Sequence, residues 1–188
     1  RVLFRSGEGS QSLMPQFVNC TFVNNTSALD GGALYSGFTP EASPLEFEAV
    51  NSIFWSNSAP AIGVLSAPVV DAVTYSCVEG GYAGTGNIDV APVFVDVAND
   101  DYHLAAGSPC IDTGCDTSSP ALGSLTKDAE WRIRGFDGDG LGAVTGDGSE
   151  YDMGLYEYGA PQGEPDEEPP CGGEGEGEGE GEGEGEGE

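Results

Sequence analysis

The sequence VNCTFVNN at residues 18–25 recurs, with substitutions, as VNSIFWSN at residues 50–57. Small-to-large side chains share one parity in each copy, at Val18, Cys20 and Phe22 and at Val50, Ser52 and Phe54, which is the pattern of a β-strand with one face buried. Val18 and Phe22 have the same parity, so they would lie on one face of a continuous strand. The repeat therefore predicts two equivalent β-segments.

The two copies are expected to stack on each other in register. Val50 and Phe54 would then join Val18 and Phe22 in a shared interior, because one turn of a repeat structure cannot bury its own inner face.

An Asn ends each copy three residues after the Phe. Asn25 and Asn57 suit a bend, since Asn tolerates left-handed backbone and hydrogen-bonds locally. Stacking would bring the two together in a ladder. Short apolar segments follow at 33–35 and 69–78 with Gly-rich turns beside them. Strand, bend, strand and turn, recurring every ~20–30 residues, favour a solenoid, and the repeated Asn favours it over a β-sandwich, the alternative.

Composition and charge limit the function classes. The chain has 31 Gly and only 5 Lys and Arg residues, which indicates a mostly β protein. The segment 164–188 holds 12 of the 33 acidic residues, so residues 1–163 carry 21 acidic and 5 basic residues, a net charge of −16. Such a surface repels nucleic acids and anionic membranes and favours hard cations such as calcium. The chain starts at Arg1 and shows neither a signal peptide nor an apolar run of membrane-spanning length, so we expect a piece of a longer protein.

Three regions are predicted along the chain. Residues 1–91 would form the β-helix coils, and residues 92–158 an irregular region that caps their open end. Residues 159–188 begin with an acidic, Pro-containing linker and end in strict Gly-Glu alternation. Because a strand of that composition would place like charges on one face and only Gly on the other, we predict a disordered spacer.

Several motifs resemble a known family of bacterial surface proteins. They are YSCVEGGY at 75–82, PVFVD at 92–96, GSPCIDTG at 107–114 and DMGLYEY at 152–158. Together they resemble the C-terminal region of the choice-of-anchor Q family, whose coils are similar to pectin-lyase-like right-handed parallel β-helices. The resemblance implies an all-β, right-handed parallel β-helix displayed outside the cell, with an anchor downstream of the low-complexity segment.

Five cysteines are present, and their spacing matches no zinc motif. Cys110 and Cys115 are close enough in sequence for a loop-closing disulfide. Cys20 and Cys77 lie in strand-like segments, where a free Cys acts as a small buried apolar residue.

The best candidate ligands are the carboxylates around the sequence DGDG at 137–140. Closely spaced acids separated by Gly let a loop wrap around calcium, although the spacing is not that of an EF-hand. We select Asp137, Asp139 and Asp147 as calcium ligands, with a role in fixing the loop rather than in catalysis. An acidic surface turn without an ion is the competing interpretation.

Candidate catalytic residues have structural explanations. Asp100 and Asp101 are a carboxylate pair, but adjacent acids point apart on a strand and indicate a turn. His103 is the sole histidine and is expected to be a half-buried strand residue. Arg132 and Arg134 are expected to pair with nearby acids.

The sequence thus favours a non-catalytic extracellular surface or adhesion module that meets glycans or matrix. The alternative is the C-terminal part of a polysaccharide lyase or glycoside hydrolase whose active site lies upstream, because the fold hosts both.

Overall fold

The computed structural model describes residues 2–5, 14–28, 31–36, 47–58, 60–64, 73–143 and 145–161. Within them are eleven short strands and two 3-10 helical turns, with no α-helix and no helix long and apolar enough to cross a membrane. The strands are β1 (Val2–Arg5), β2 (Met14–Val18), β3 (Thr21–Val23), β4 (Leu34–Ser36), β5 (Glu48–Val50), β6 (Ile53–Trp55), β7 (Ile62–Val64), β8 (Val73–Thr74), β9 (Cys77–Val78), β10 (Phe94–Asp96) and β11 (Asp101–Leu104). The 3-10 turns are Val97–Asn99 and Pro120–Leu122. The predicted all-β class is confirmed. Of the segment predicted to be disordered, 159–188, residues 162–188 lie outside the described residues.

Strands of successive repeats form three parallel sheets in the described part of the chain. The first sheet contains β2, β5 and β8, the second β3, β6 and β9, and the third β4 and β7. β1 adds to the first sheet antiparallel to β2. Val18 pairs with Val50 and Phe22 with Phe54, so the two copies of the repeat lie in register as predicted.

Side chains from all three sheets meet in one apolar cluster. The ring of Phe54, in this cluster, stacks on that of Phe22 with 4.8 Å between their centroids and 4° between their planes. The buried members of this interior are Phe47, Ala49, Phe54, Ala61, Ile62, Val73 and Val78. Apolar burial of this kind, at about 25 cal/mol per Å², is the main stabilising contribution that such a region has.

The prediction that Val18 and Val50 share this interior is wrong. Both are buried in a separate cluster that includes Cys115 of the C-terminal region. Asn19 and Asn51, which follow them directly, have left-handed backbone, with φ of 52° and 48°. This bend separates two strands and breaks the alternation, so residues four positions apart no longer face the same side.

The predicted ladder of Asn25 and Asn57, the Asn residues that end the two copies, is confirmed. The Asn25 side-chain amide donates to Oδ1 of Asn57 over 2.9 Å, and the Asn57 amide donates to the carbonyl of Phe22 over 2.8 Å. The left-handed residues at this bend are one position earlier, at Asn24 and Ser56. The Asn that ends each copy therefore joins neighbouring repeats, while the residue before it makes the turn.

The C-terminal region lies along the outer faces of the first two sheets. β10 and β11 pair as an antiparallel hairpin. Leu104, Cys110, Ile111 and Met153 then pack on Ile53 and Cys77. The described contacts therefore run along the sides of the sheets, whereas the sequence predicts a cap on the open end.

Cys77, Cys110 and Cys115 are free thiols. Cys77 and Cys110 are fully buried in the same cluster, and Cys115 belongs to another. The Cys110–Cys115 disulfide that proximity in sequence allows is thus not formed. Cys77 is a buried apolar residue as predicted, and Cys20 is only half-buried.

Candidate metal centre

An acidic cluster lies at the side of the C-terminal region. It consists of Asp112, Asp137 and Glu150, which come from three different loops. One carboxylate oxygen from each lies within 4.8 Å of the other two. Three acids at such short range repel one another unless protons or a cation compensate their charge.

The cluster contains carboxylate oxygens without any hydrogen-bond partner. Asp112 is 4% exposed, and both of its side-chain oxygens are buried and unpaired. Oε2 of Glu150 is buried and unpaired as well. Nearly all buried polar groups in proteins have a partner, because an unpaired one costs on the order of 1–3 kcal/mol.

The electrostatic environment favours the protonated form of Asp112 in the absence of a cation. Burial is the largest cause, followed by the negative charges of Asp139, Glu150, Asp137 and Glu157, and together they raise the pKa of Asp112 to about 7. The ordinary value for Asp is about 3.9.

The backbone at Asp112 is held by the packing of the two preceding residues and by a hydrogen bond of its own N–H. The preceding Cys110 and Ile111 are buried against the second sheet. Its own N–H donates to Oδ1 of Asp152 over 2.8 Å, and Asp152 is itself 1% exposed. The position of Asp112 is therefore fixed by the packing of the two preceding residues and by a hydrogen bond to a buried acceptor.

Asp137 is held by a turn closed on itself. Its Oδ1 accepts a hydrogen bond from the N–H of Gly140 over 2.6 Å. Gly138 lies so close to Tyr158 that a Cβ atom there would be 1.9 Å from the Tyr158 carbonyl oxygen. The Gly after Asp137 is thus required by the close approach of two backbones.

A buried ion pair lies next to the cluster. Arg134 and Glu157, whose side chains are 1% and 0% exposed, are joined by Nη1 and Oε2 at 3.3 Å. Arg134 also donates to the carbonyls of Gly154 and Leu155. Burial raises the pKa of Glu157 despite the opposing charge of Arg134. The predicted pairing of Arg134 with an acid is confirmed, and that of Arg132 is confirmed by its contact with Glu130 at 3.2 Å.

The structure brings together only part of the ligand set predicted from sequence. Asp137 is in the cluster, and the charge of Asp139 acts on Asp112. Asp147 makes other contacts: its carboxylate accepts hydrogen bonds from the N–H groups of Asp116 and Ser149. Asp112 was not among the predicted ligands, because it lies 25 residues before Asp137 and no local spacing connects them.

The other candidate residues have structural roles. Asp100 has left-handed backbone with φ of 59° and ends a 3-10 turn, and Asp101 begins β11, so this pair is a turn as predicted. His103 is a half-buried residue of β11 whose ring nitrogens contact Asp101 at 2.6 Å and Glu130 at 3.2 Å.

The arrangement offers oxygen donors only. Such a set can share protons or bind a hard cation. No protein-family model, curated protein or solved structure matches this chain.

Proposed function

We propose that this chain is part of a non-catalytic extracellular surface protein, built as a right-handed parallel β-helix and carried on an acidic stalk. The observation that carries the proposal is the pairing of equivalent residues from successive repeats, Val18 with Val50 and Phe22 with Phe54, in parallel register. Parallel pairing of short strands around one interior, with an Asn ladder at a bend, is the arrangement expected of β-helix coils.

The chemistry of the coils supports a binding or structural role. Among the described residues between 14 and 78, Glu48 is the sole charged side chain, and it accepts a hydrogen bond from Gln16. Removal of a proton from a sugar needs a base, and hydrolysis usually needs two facing carboxylates. The described residues between 14 and 78 include no Lys, Arg or His and a single carboxylate, Glu48, so they lack the carboxylate pair.

The charge of the chain supports display in an aqueous, cation-rich environment. Residues 1–163 have a net charge of −16, and the Gly-Glu segment adds further negative charge. Like charges along a segment repel one another and favour solubility. The partners that we propose are extracellular glycans or matrix, with attachment through an anchor beyond the Gly-Glu segment.

The location is tested by antibody labelling of intact source cells and of permeabilised cells. We expect intact cells to be labelled, and protease treatment of intact cells to remove the label. Labelling that needs permeabilisation would contradict the proposal.

The catalytic alternative is tested with the full-length protein that contains this chain. The protein is incubated with acidic and neutral polysaccharides, and binding, new reducing ends and unsaturated uronates are measured. We expect saturable binding without product. Formation of either product would show that upstream coils are catalytic and would replace the proposal with the enzyme alternative.

A further inference from the structure

We infer that Asp112, Asp137 and Glu150 bind one calcium ion, which fastens three loops of the C-terminal region to one another. The inference does not depend on surface display, because its ligands and its test lie within this chain.

The spacing of the oxygens fits calcium. Calcium–oxygen distances are about 2.3–2.6 Å, so two ligands on opposite sides of an ion are about 5 Å apart and all others are closer. The three carboxylate oxygens lie within 4.8 Å of one another. A single ion placed between them can therefore contact all three without a change of fold.

The second observation is the unpaired, buried carboxylate of Asp112. It is 4% exposed, and neither oxygen has a partner, although its backbone N–H is satisfied by Asp152. Oε2 of Glu150 is also buried and unpaired. Surface turns of acidic residues keep their oxygens in water, whereas here three oxygens have lost water without gaining a donor. A cation supplies the missing partner for all of them.

The donor set selects the kind of ion. The cluster contains no His or Cys, which zinc and other transition metals prefer, and its ligands are carboxylates only. Magnesium holds its own water firmly and requires near-ideal octahedral geometry, while calcium accepts irregular sites with six to eight oxygens. The negative charge of Asp139 also acts on Asp112.

The loops that the ion would connect are fixed by different contacts. Asp112 follows residues packed on the second sheet, and Asp137 follows the buried Arg134 at a distance of three residues. Glu150 precedes Tyr151, whose carbonyl accepts a hydrogen bond from Gly114. Binding would therefore connect the segment packed on the second sheet with two other loops of the C-terminal region.

The experiment is calcium titration by calorimetry on the full chain, after treatment with a chelator and desalting. It compares the unmodified chain with Asp112→Asn, Asp137→Asn and Glu150→Gln, each of which keeps the side-chain shape. Asp147→Asn is the matched control, since Asp147 is acidic and nearby in sequence but bonded elsewhere. Weak binding by the Gly-Glu segment is common to all variants.

We expect one saturable site in the unmodified chain and in Asp147→Asn, with affinity reduced at least about 10-fold in the three cluster variants. At 100 times the dissociation constant, calcium should raise the melting temperature of the unmodified chain by roughly 5–10 °C. Without calcium, Asp112→Asn should melt at or above the temperature of the unmodified chain, because it removes an uncompensated charge.

Three results would overturn the assignment. One is a titration of the unmodified chain indistinguishable from that of Asp112→Asn. Another is full affinity in all three cluster variants. The third is loss of binding in Asp147→Asn equal to that in Asp112→Asn, which would return the site to the ligand set predicted from sequence.

Discussion

The repeating region and the C-terminal region are stabilised by different means. Between residues 14 and 78 the cluster in which the three sheets meet is apolar, and equivalent residues of successive repeats stack on each other, as Phe22 does on Phe54. Between residues 107 and 160 the described chain has no regular strand, and buried charged groups such as Arg134 and Glu157 take a central part.

This difference shows two ways of fixing a chain that lacks long elements. In the repeating region each residue finds its partner one repeat away, so a repeated sequence gives a repeated contact. In the C-terminal region each buried polar group needs one particular partner, and leaving it unpaired is costly.

The largest expected effect is the loss of the stacked ring in the repeating region. Phe54 is fully buried, so Phe54→Ala should lower the free energy of unfolding by about 4 kcal/mol, through lost burial and the cavity that remains. Tyr35→Ala removes an aromatic ring that is 53% exposed and should change stability by less than about 1 kcal/mol. Urea unfolding followed by circular dichroism measures both. Equal effects would show that the stacked interior does not dominate this region.

In the C-terminal region the largest effect is expected from breaking the buried ion pair of Arg134 and Glu157. Arg134→Met leaves the Glu157 carboxylate buried without its cation and should cost about 3 kcal/mol. The double variant with Glu157→Gln should recover part of this loss. Arg132→Met, at a side chain that is 37% exposed, should cost less than about 1 kcal/mol. If Arg134→Met and Arg132→Met lower the free energy of unfolding equally little, the buried ion pair does not stabilise this region.

The repeating region was predictable because its contacts follow the repeat. The pairing of residues 18–25 with 50–57 and the Asn25–Asn57 ladder both follow from stacking equivalent positions. The side on which Val18 and Val50 lie was not predictable from parity. It depends on left-handed backbone at Asn19 and Asn51. An Asn in a strand-like sequence does not reveal whether its backbone continues the strand or bends there.

The acidic site was only partly predictable for a related reason. Local spacing identified Asp137, because a Gly-separated pair of acids stands out in the sequence. Asp112 is brought to it by the packing of Cys110 and Ile111 and by the hydrogen bond to Asp152. Contacts between distant loops have no period, so a single sequence contains no pattern from which they follow.

A substitution at the junction of the two regions, Asn51→Gly, should have an intermediate effect on stability. The Asn51 side chain donates to the carbonyl of Cys115 over 2.7 Å and accepts from its N–H over 2.9 Å. Asn51→Gly keeps the left-handed backbone accessible but leaves both groups unpaired, so it should cost about 2 kcal/mol. Asn24→Gly, at an exposed residue with the same backbone conformation, is the control and should be nearly neutral. A similar loss in both would indicate a backbone effect and not the junction.

The smallest effect expected is a pH dependence at the edge of the C-terminal region. Partial burial of His103 disfavours its charged form, but hydrogen bonds to Asp101 and Glu130 outweigh this and raise its pKa above 6.5. A raised pKa in the folded state means that the stabilisation is complete below the unfolded value and is lost as the pH rises through the folded value.

The difference in unfolding free energy between about pH 6 and about pH 8.5 should therefore be larger for the unmodified chain than for His103→Gln, by less than about 1 kcal/mol. The comparison between the two chains is needed because Asp112 and Asp152, whose pKa values burial raises to about 7 and about 8, also change protonation in this range. Those groups are common to both chains, so their contribution cancels. A pH dependence identical in the two chains would show that the contacts of His103 with Asp101 and Glu130 do not stabilise the fold.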